Sequence, residues 1–177
     1  MKRSTLRSWR VPALCGAILV AAVLVYGWLP VSPRLIAVAV RAVGPRPVYR
    51  LLSDDDVRWE RIVAGVETGD AAWLRAAVAL YPALDTHPGE EMFAAVSTVL
   101  EIDPSGAFGT LLPRYGPEVV CGGPWGEDPM TPAKARRRLA IVRALPAEAE
   151  TAEAASGCQR VAEAVVRAAE GGRLGGW

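Results

Sequence analysis

Residues 53–82 read SDDDVRWERIVAGVETGDAAWLRAAVALYP, and their punctuation decides the fold class. Ser53 followed by Asp54, Asp55 and Asp56 predicts a helix start, with a capping hydroxyl and acids in the first turn where the helix dipole favours them. Trp59, Ile62, Val63 and Val66 then recur at three- and four-residue spacing, the signature of one buried helix face. Gly69 predicts the stop. Asp70 caps a second helix, with Trp73, Leu74, Ala77, Val78 and Tyr81 facing inward and Pro82 ending it.

The same grammar continues toward the C-terminus. Pro88 opens a third helix at its first position, where a missing N–H is harmless. Its inward face is Met92, Phe93, Val96, Val99 and Leu100. Asp103-Pro104 repeats the cap-plus-proline signal before a short helix with Phe108, Leu111 and Leu112. From Pro113 to Pro132, nine of twenty residues are Pro or Gly, which predicts a long irregular loop holding Cys121 and Trp125. Thr131-Pro132 opens a further helix, with Leu139, Val142 and Leu145 inward and Lys134, Arg136, Arg137, Arg138 and Arg143 outward. An Ala-rich helix then runs to Glu170, interrupted at Gly157, with Val161, Val165 and Ala169 on one face; Gly171-Gly172 closes it. No strand alternation occurs after residue 53. Asp70 and Asp103 lie 33 residues apart, which suggests stacked antiparallel helical hairpins with a weak repeat. The expectation is an all-α helical domain over residues 53–172.

N-terminal to this domain the chain changes character. Val11 to Leu29 is an uncharged run of nineteen residues, VPALCGAILVAAVLVYGWL. As a helix it measures about 28 Å, close to the roughly 30 Å hydrocarbon core of a bilayer. Trp9, Tyr26 and Trp28 suit the two interfaces. A cleaved signal peptide has a shorter apolar core and a nearby small-x-small site; here the matching Ala37-Val38-Ala39 falls too late. The expectation is therefore a cytoplasmic tail (1–10), a transmembrane anchor (11–29) and a basic membrane-proximal arm (30–52). That arm, punctuated by Pro30, Pro33, Pro45 and Pro47, either lies on the membrane with Arg34 and Arg41 reaching lipid phosphates or packs on the domain.

Charge obeys the same division. Residues 1–53 hold eight basic side chains and no acid, whereas residues 54–177 hold twelve basic and nineteen acidic ones, a net −7. An acidic domain argues against nucleic acid as a partner and leaves membrane lipid and an envelope protein as the expected ones. Eighteen Arg against two Lys reflects a GC-rich bacterial coding bias. Cys15 lies in the apolar run. Cys121 and Cys158 lie in the domain, and an exported domain with two cysteines most simply joins them. The cysteine pair also favours a cytoplasmic N-terminus, placing the domain in the periplasm of a single-pass inner-membrane protein.

The runs WLRAAVALYPALDTHPGEEM (residues 73–92) and VLEIDPSGAFGTLL (residues 99–112), together with the Cys121 and Cys158 pair, resemble uncharacterised exported bacterial helical proteins. The resemblance spans residues 54–160 and implies no activity.

Candidate chemistry is sparse. His87, the only histidine, stands with Asp85, Glu90 and Glu91 in a segment that a helix start equally requires; one histidine excludes multi-histidine zinc sites. Gly122-Gly123-Pro124-Trp125-Gly126 is not followed by Lys and Ser or Thr, so it is no phosphate loop. Asp54–Asp56 lacks calcium-loop spacing. No catalytic, metal or cofactor-binding residue is assigned and no cofactor is expected. Trp125, Arg136 and Arg137 are the candidate partner-binding residues. The leading functional expectation is a non-enzymatic, membrane-tethered interaction module of the bacterial envelope. Its alternatives are an envelope enzyme using His87 with nearby carboxylates, and a structural accessory subunit of a membrane complex.

Overall fold

A computed structural model describes residues 31–84, 87–123, 130–145 and 152–172, all of them helices, turns and short connections. Among the described residues no helix is long and apolar enough to cross a membrane; the run Val11–Leu29 lies outside them.

Helix α1 (Pro33–Val43) starts at Ser32, whose hydroxyl accepts a hydrogen bond from the Leu35 amide, with Pro33 in the first turn. Gly44 ends it and Pro45 opens α2 (Pro45–Ser53). Each helix buries one face and exposes the other. Ile36 and Ala39 of α1, and Val48, Tyr49 and Leu52 of α2, join the main core cluster. Thus, of the two placements the sequence leaves open for the basic stretch, the described residues 31–52 take the second and pack on the domain, and the core cluster runs across residue 53. The prolines of this stretch, which suggest an irregular connection, sit in first turns, where proline is compatible with a helix.

Ser53 is correspondingly the last residue of α2, not a cap. Its hydroxyl donates back to the Arg50 carbonyl, and Asp55 caps α3 (Asp56–Glu67) by accepting from the Arg58 amide at 3.1 Å. Trp59, Ile62 and Val66 are buried on α3 as expected. Asp70 caps α4 (Ala71–Leu80), accepting from the Ala72 and Trp73 amides. Where α3 meets α4, Gly65 lies against the Trp73 ring; a Cβ there would stand 2.5 Å from two ring carbons. The missing side chain sets that approach.

Helix α5 (His87–Ile102) is the axis of the molecule, burying Met92, Ala95, Val96, Val99 and Leu100. It receives α3 on one side and the C-terminal helices on the other, while α1 packs on α4. The Asp103 carboxylate caps the turn Pro104–Gly106, accepting from the Gly106 amide at 3.0 Å. The caps at Asp70 and Asp103 therefore match, but one begins a ten-residue helix and the other a single turn that widens into a π-helical turn, Ala107–Leu111. The weak repeat ends at that difference.

The expected loop from Pro113 is the main correction. Residues Leu112–Gly122 form α6, kinked at Gly116 (φ 78°, ψ 167°). Pro113 lies in the first turn of one helical piece and Pro117 opens the next directly after the reversal at Gly116. Two proline-led helix starts in close succession imitate loop composition.

Thr131 caps α7 (Pro132–Ala144) as expected, accepting from the Lys134 amide. Helix α8 (Ala152–Glu170) is continuous through Gly157, where the sequence predicts an interruption. Gly157 is buried facing Pro117 of α6, where its small size permits close packing. Helix α8 lies against both α6 and α7.

Candidate functional site

Three features carry the polar chemistry of the described residues, and they sit on different elements.

The first is inside. On α7, Ala135, Arg138, Leu139 and Val142 form the buried stripe, so Arg138 faces the core and not solvent as expected. Its side chain is 2% exposed. One guanidinium nitrogen, Nη2, donates to the Ser97 carbonyl at 2.8 Å and the Val120 carbonyl at 3.1 Å, and Nη1 donates to Glu101 at 3.1 Å. Burial lowers its pKa, and the Glu101 carboxylate opposes that shift. One cation therefore ties α5, α6 and α7 together. Nearby, the buried Tyr115 hydroxyl donates to the Ala77 carbonyl at 2.9 Å, and Tyr81 and Phe93 pack on its ring. Burial, with the neighbouring Tyr81, raises the Tyr115 pKa well above its ordinary value.

The second feature is the cross-link. Cys121 on α6 and Cys158 on α8 are joined in a disulfide, with Cα atoms 5.3 Å apart. Both residues are buried. The bond joins two helices, so it does not staple an irregular loop. Cys121 directly follows Val120, whose carbonyl receives Arg138, so covalent and polar ties meet at one end of α6.

The third feature is on the surface. Arg34 and Arg41 of α1 and Arg46 and Arg50 of α2 are all exposed. The α2 pair borders an open cleft of about 470 Å³, walled by Arg46, Tyr49, Arg50 and Ser53 of α2, by Asp54 at its end, and by Ala83 and Pro88 across it. Arg46, Arg50 and Ser53 fall at positions i, i+4 and i+7, hence on one face of the helix. Neither arginine makes an ion pair with a described residue. Below them, Tyr49 packs edge-on against Trp59, with ring centroids 5.5 Å apart.

Among the described residues singled out from the sequence, Arg136 and Arg137 stand on α7, Cys121 on α6, Cys158 on α8 and His87 at the start of α5. Arg136 is exposed and donates through two nitrogens to Glu170 of α8 at 2.9 and 2.7 Å. Arg137 is exposed, with Glu101 3.9 Å away. Arg143 pairs with Glu163, whose pKa is lowered by hydrogen bonds from Gln159 and from Arg143. The outer arginines of α7 are thus laced mainly to α8. Such exposed pairs contribute at most about 1 kcal/mol each, so they yield readily to a partner. Trp125 and Asp85 lie outside the described residues; His87 begins α5, and Glu90 and Glu91 are exposed in its first turns. Among the described residues no group of three potential ligands is placed to hold a metal ion.

No protein-family model matches the chain, and neither a curated protein nor a solved structure is significantly similar to it.

The α2 cleft escapes a reading of the sequence although its signal is present: two arginines four residues apart, with a serine three further on. Pro45 and Pro47 conceal it by punctuating the stretch, so that its helical phase is not evident.

Proposed function

We propose that the chain is a membrane-tethered, non-enzymatic helical interaction module of the bacterial envelope, with the apolar run Val11–Leu29 as its anchor and the helical domain in the periplasm. The observation that supports this most is the Cys121–Cys158 bond. Disulfides persist in oxidising compartments and are rare in the cytosol, so a cross-link within the helical domain fits a domain that matures after export. The anchor reading supplies the route: a spanning-length apolar segment with four basic residues ahead of it.

A protein partner is the second half of the proposal. Arg136 and Arg137 form an exposed basic ridge whose present ion pairs are weak, and an acidic envelope protein can displace them. The test is affinity purification of the full-length chain from detergent-solubilised membranes, comparing the native sequence with Arg136→Glu/Arg137→Glu. The expected result is an envelope protein recovered in constant ratio with the native chain and depleted in the variant. Recovery of the chain alone contradicts the reading. So does loss of cellular function in a normally folded His87→Ala variant, which supports an enzyme instead.

A further inference from the structure

We propose that the cleft along α2 is a binding site for a phosphate group, held by the guanidinium groups of Arg46 and Arg50. Four observations converge on it. The two arginines stand one helical turn apart, exposed, and without an ion-pair partner among the described residues. They border a cleft of about 470 Å³, which is the size range of small-ligand sites. Ser53, on the same helical face, places a hydroxyl in the wall, which can serve an anion only by releasing its long 3.4 Å bond to the Arg50 carbonyl. Finally, residues 31–53 carry four arginines and no acid, so the α2 side of the cleft is cationic up to Asp54 at its end.

The chemistry selects phosphate over a carboxylate. A planar guanidinium presents paired donors that match two oxygens of one anion, and two such groups a turn apart can share the three or four oxygens of a phosphate. Pro88, in the first turn of α5, also lines the cleft; the positive end of that helix favours an anion, and Glu90 in the same turn opposes it. Asp54 acts the other way. Its carboxylate at the end of the cleft repels an anion, so it weakens binding and favours a ligand that also carries a donor. A phosphate of this kind has two sources, a lipid headgroup or a soluble phosphate ester.

This proposal goes beyond the interaction-module reading and fails separately from it, because a soluble phosphate ester needs neither a protein partner nor an anchor. The test uses the full chain in a neutral, phosphate-free detergent, titrated with glycerol phosphate, and in parallel with vesicles of phosphatidylglycerol in neutral lipid. Arg46→Ala/Arg50→Ala should weaken binding about tenfold or more, since two charge-assisted contacts are lost. Arg61→Ala/Arg75→Ala removes the same charge from exposed positions on α3 and α4 and should leave binding unchanged. Asp54→Asn should strengthen it. Cleft-dependent binding of glycerol phosphate identifies a soluble ester as sufficient; cleft-dependent binding to vesicles alone identifies the headgroup. Equal losses in the two double variants mean non-specific attraction, and no binding in either arm means no site. Either result overturns the proposal.

Discussion

Arg138 shows how a single residue can hold three helices and escape notice in a sequence. A buried guanidinium is costly unless its donors are met; here two carbonyls and a carboxylate meet Nη1 and Nη2, while the buried Nε–H has no partner among the described residues. Arg138→Ala removes the cation and the hydrogen bonds it gives to the Ser97 and Val120 carbonyls. Urea unfolding should show a loss of about 1.5–3 kcal/mol, the range for hydrogen bonds to a charged group, because the remaining Glu101 is 30% exposed and stays solvated. Glu101→Gln should cost less, because the carbonyls still receive their hydrogen bonds. Arg136, Arg137 and Arg138 look alike in the sequence, and composition alone sends all three to the surface. Only the helical phase of Ala135, Leu139 and Val142 reveals that the third lies on the buried stripe. Tyr115 offers a prediction in pH. Its folded pKa is raised, so the stabilisation it contributes is fully present below the unfolded value of 10.0 and is lost as pH rises above it. Stability should therefore fall on the alkaline side of pH 10, and the fall should be smaller in Tyr115→Phe, measured by chemical unfolding across that range.

Among the helices, periodicity and capping were the legible part. The Asp70, Asp103 and Thr131 caps, the faces of α3, α4 and α5, and the end of α8 near Gly171 all obey local rules. The corrections at residues 113–122 and at Gly157 share one cause: glycine and proline suggest loops by composition, whereas here they open helices, join two helical pieces or let helices pack closely. Gly157 is such a case, since its meaning depends on Pro117, forty residues earlier. Gly116 is another, because its backbone conformation is open almost only to glycine. Gly116→Ala should destabilise by about 1–3 kcal/mol through strain at that position. Gly65→Ala should also destabilise, by roughly 1–3 kcal/mol, for the different reason that the new methyl group overlaps the Trp73 ring. Combined with Trp73→Leu, which withdraws the ring, the Gly65→Ala penalty should shrink; Gly116→Ala should show no such dependence. Thermal melts of the single and paired variants distinguish strain from overpacking.

Across the whole molecule, helices from residue 33 to residue 170 share one packed body, and the α6–α8 disulfide closes its C-terminal half. The uneven charge of the chain is visible in the sequence, and the structure places four exposed arginines on α1 and α2, next in sequence to the apolar run. Sequence could not show that these helices belong to the core, because their buried residues are few and their partners lie on α3, on α4 and on the turn Tyr81–Ala83. Cross-linking residues 37 apart stabilises a chain by about 3–4 kcal/mol in the chain-entropy estimate. Cys121→Ala/Cys158→Ala should show a loss of that order. Because Val120 adjoins Cys121, the loss should be non-additive with Arg138→Ala. The central claim is that this domain is exported, oxidised and still anchored. Peptide mass mapping of the chain from the membrane fraction, without reduction, tests it most directly. The predicted result is one linked pair of peptides holding Cys121 and Cys158, in a chain that retains Val11–Leu29. Two free thiols at those cysteines, or a mature chain beginning between residues 25 and 45, would contradict it.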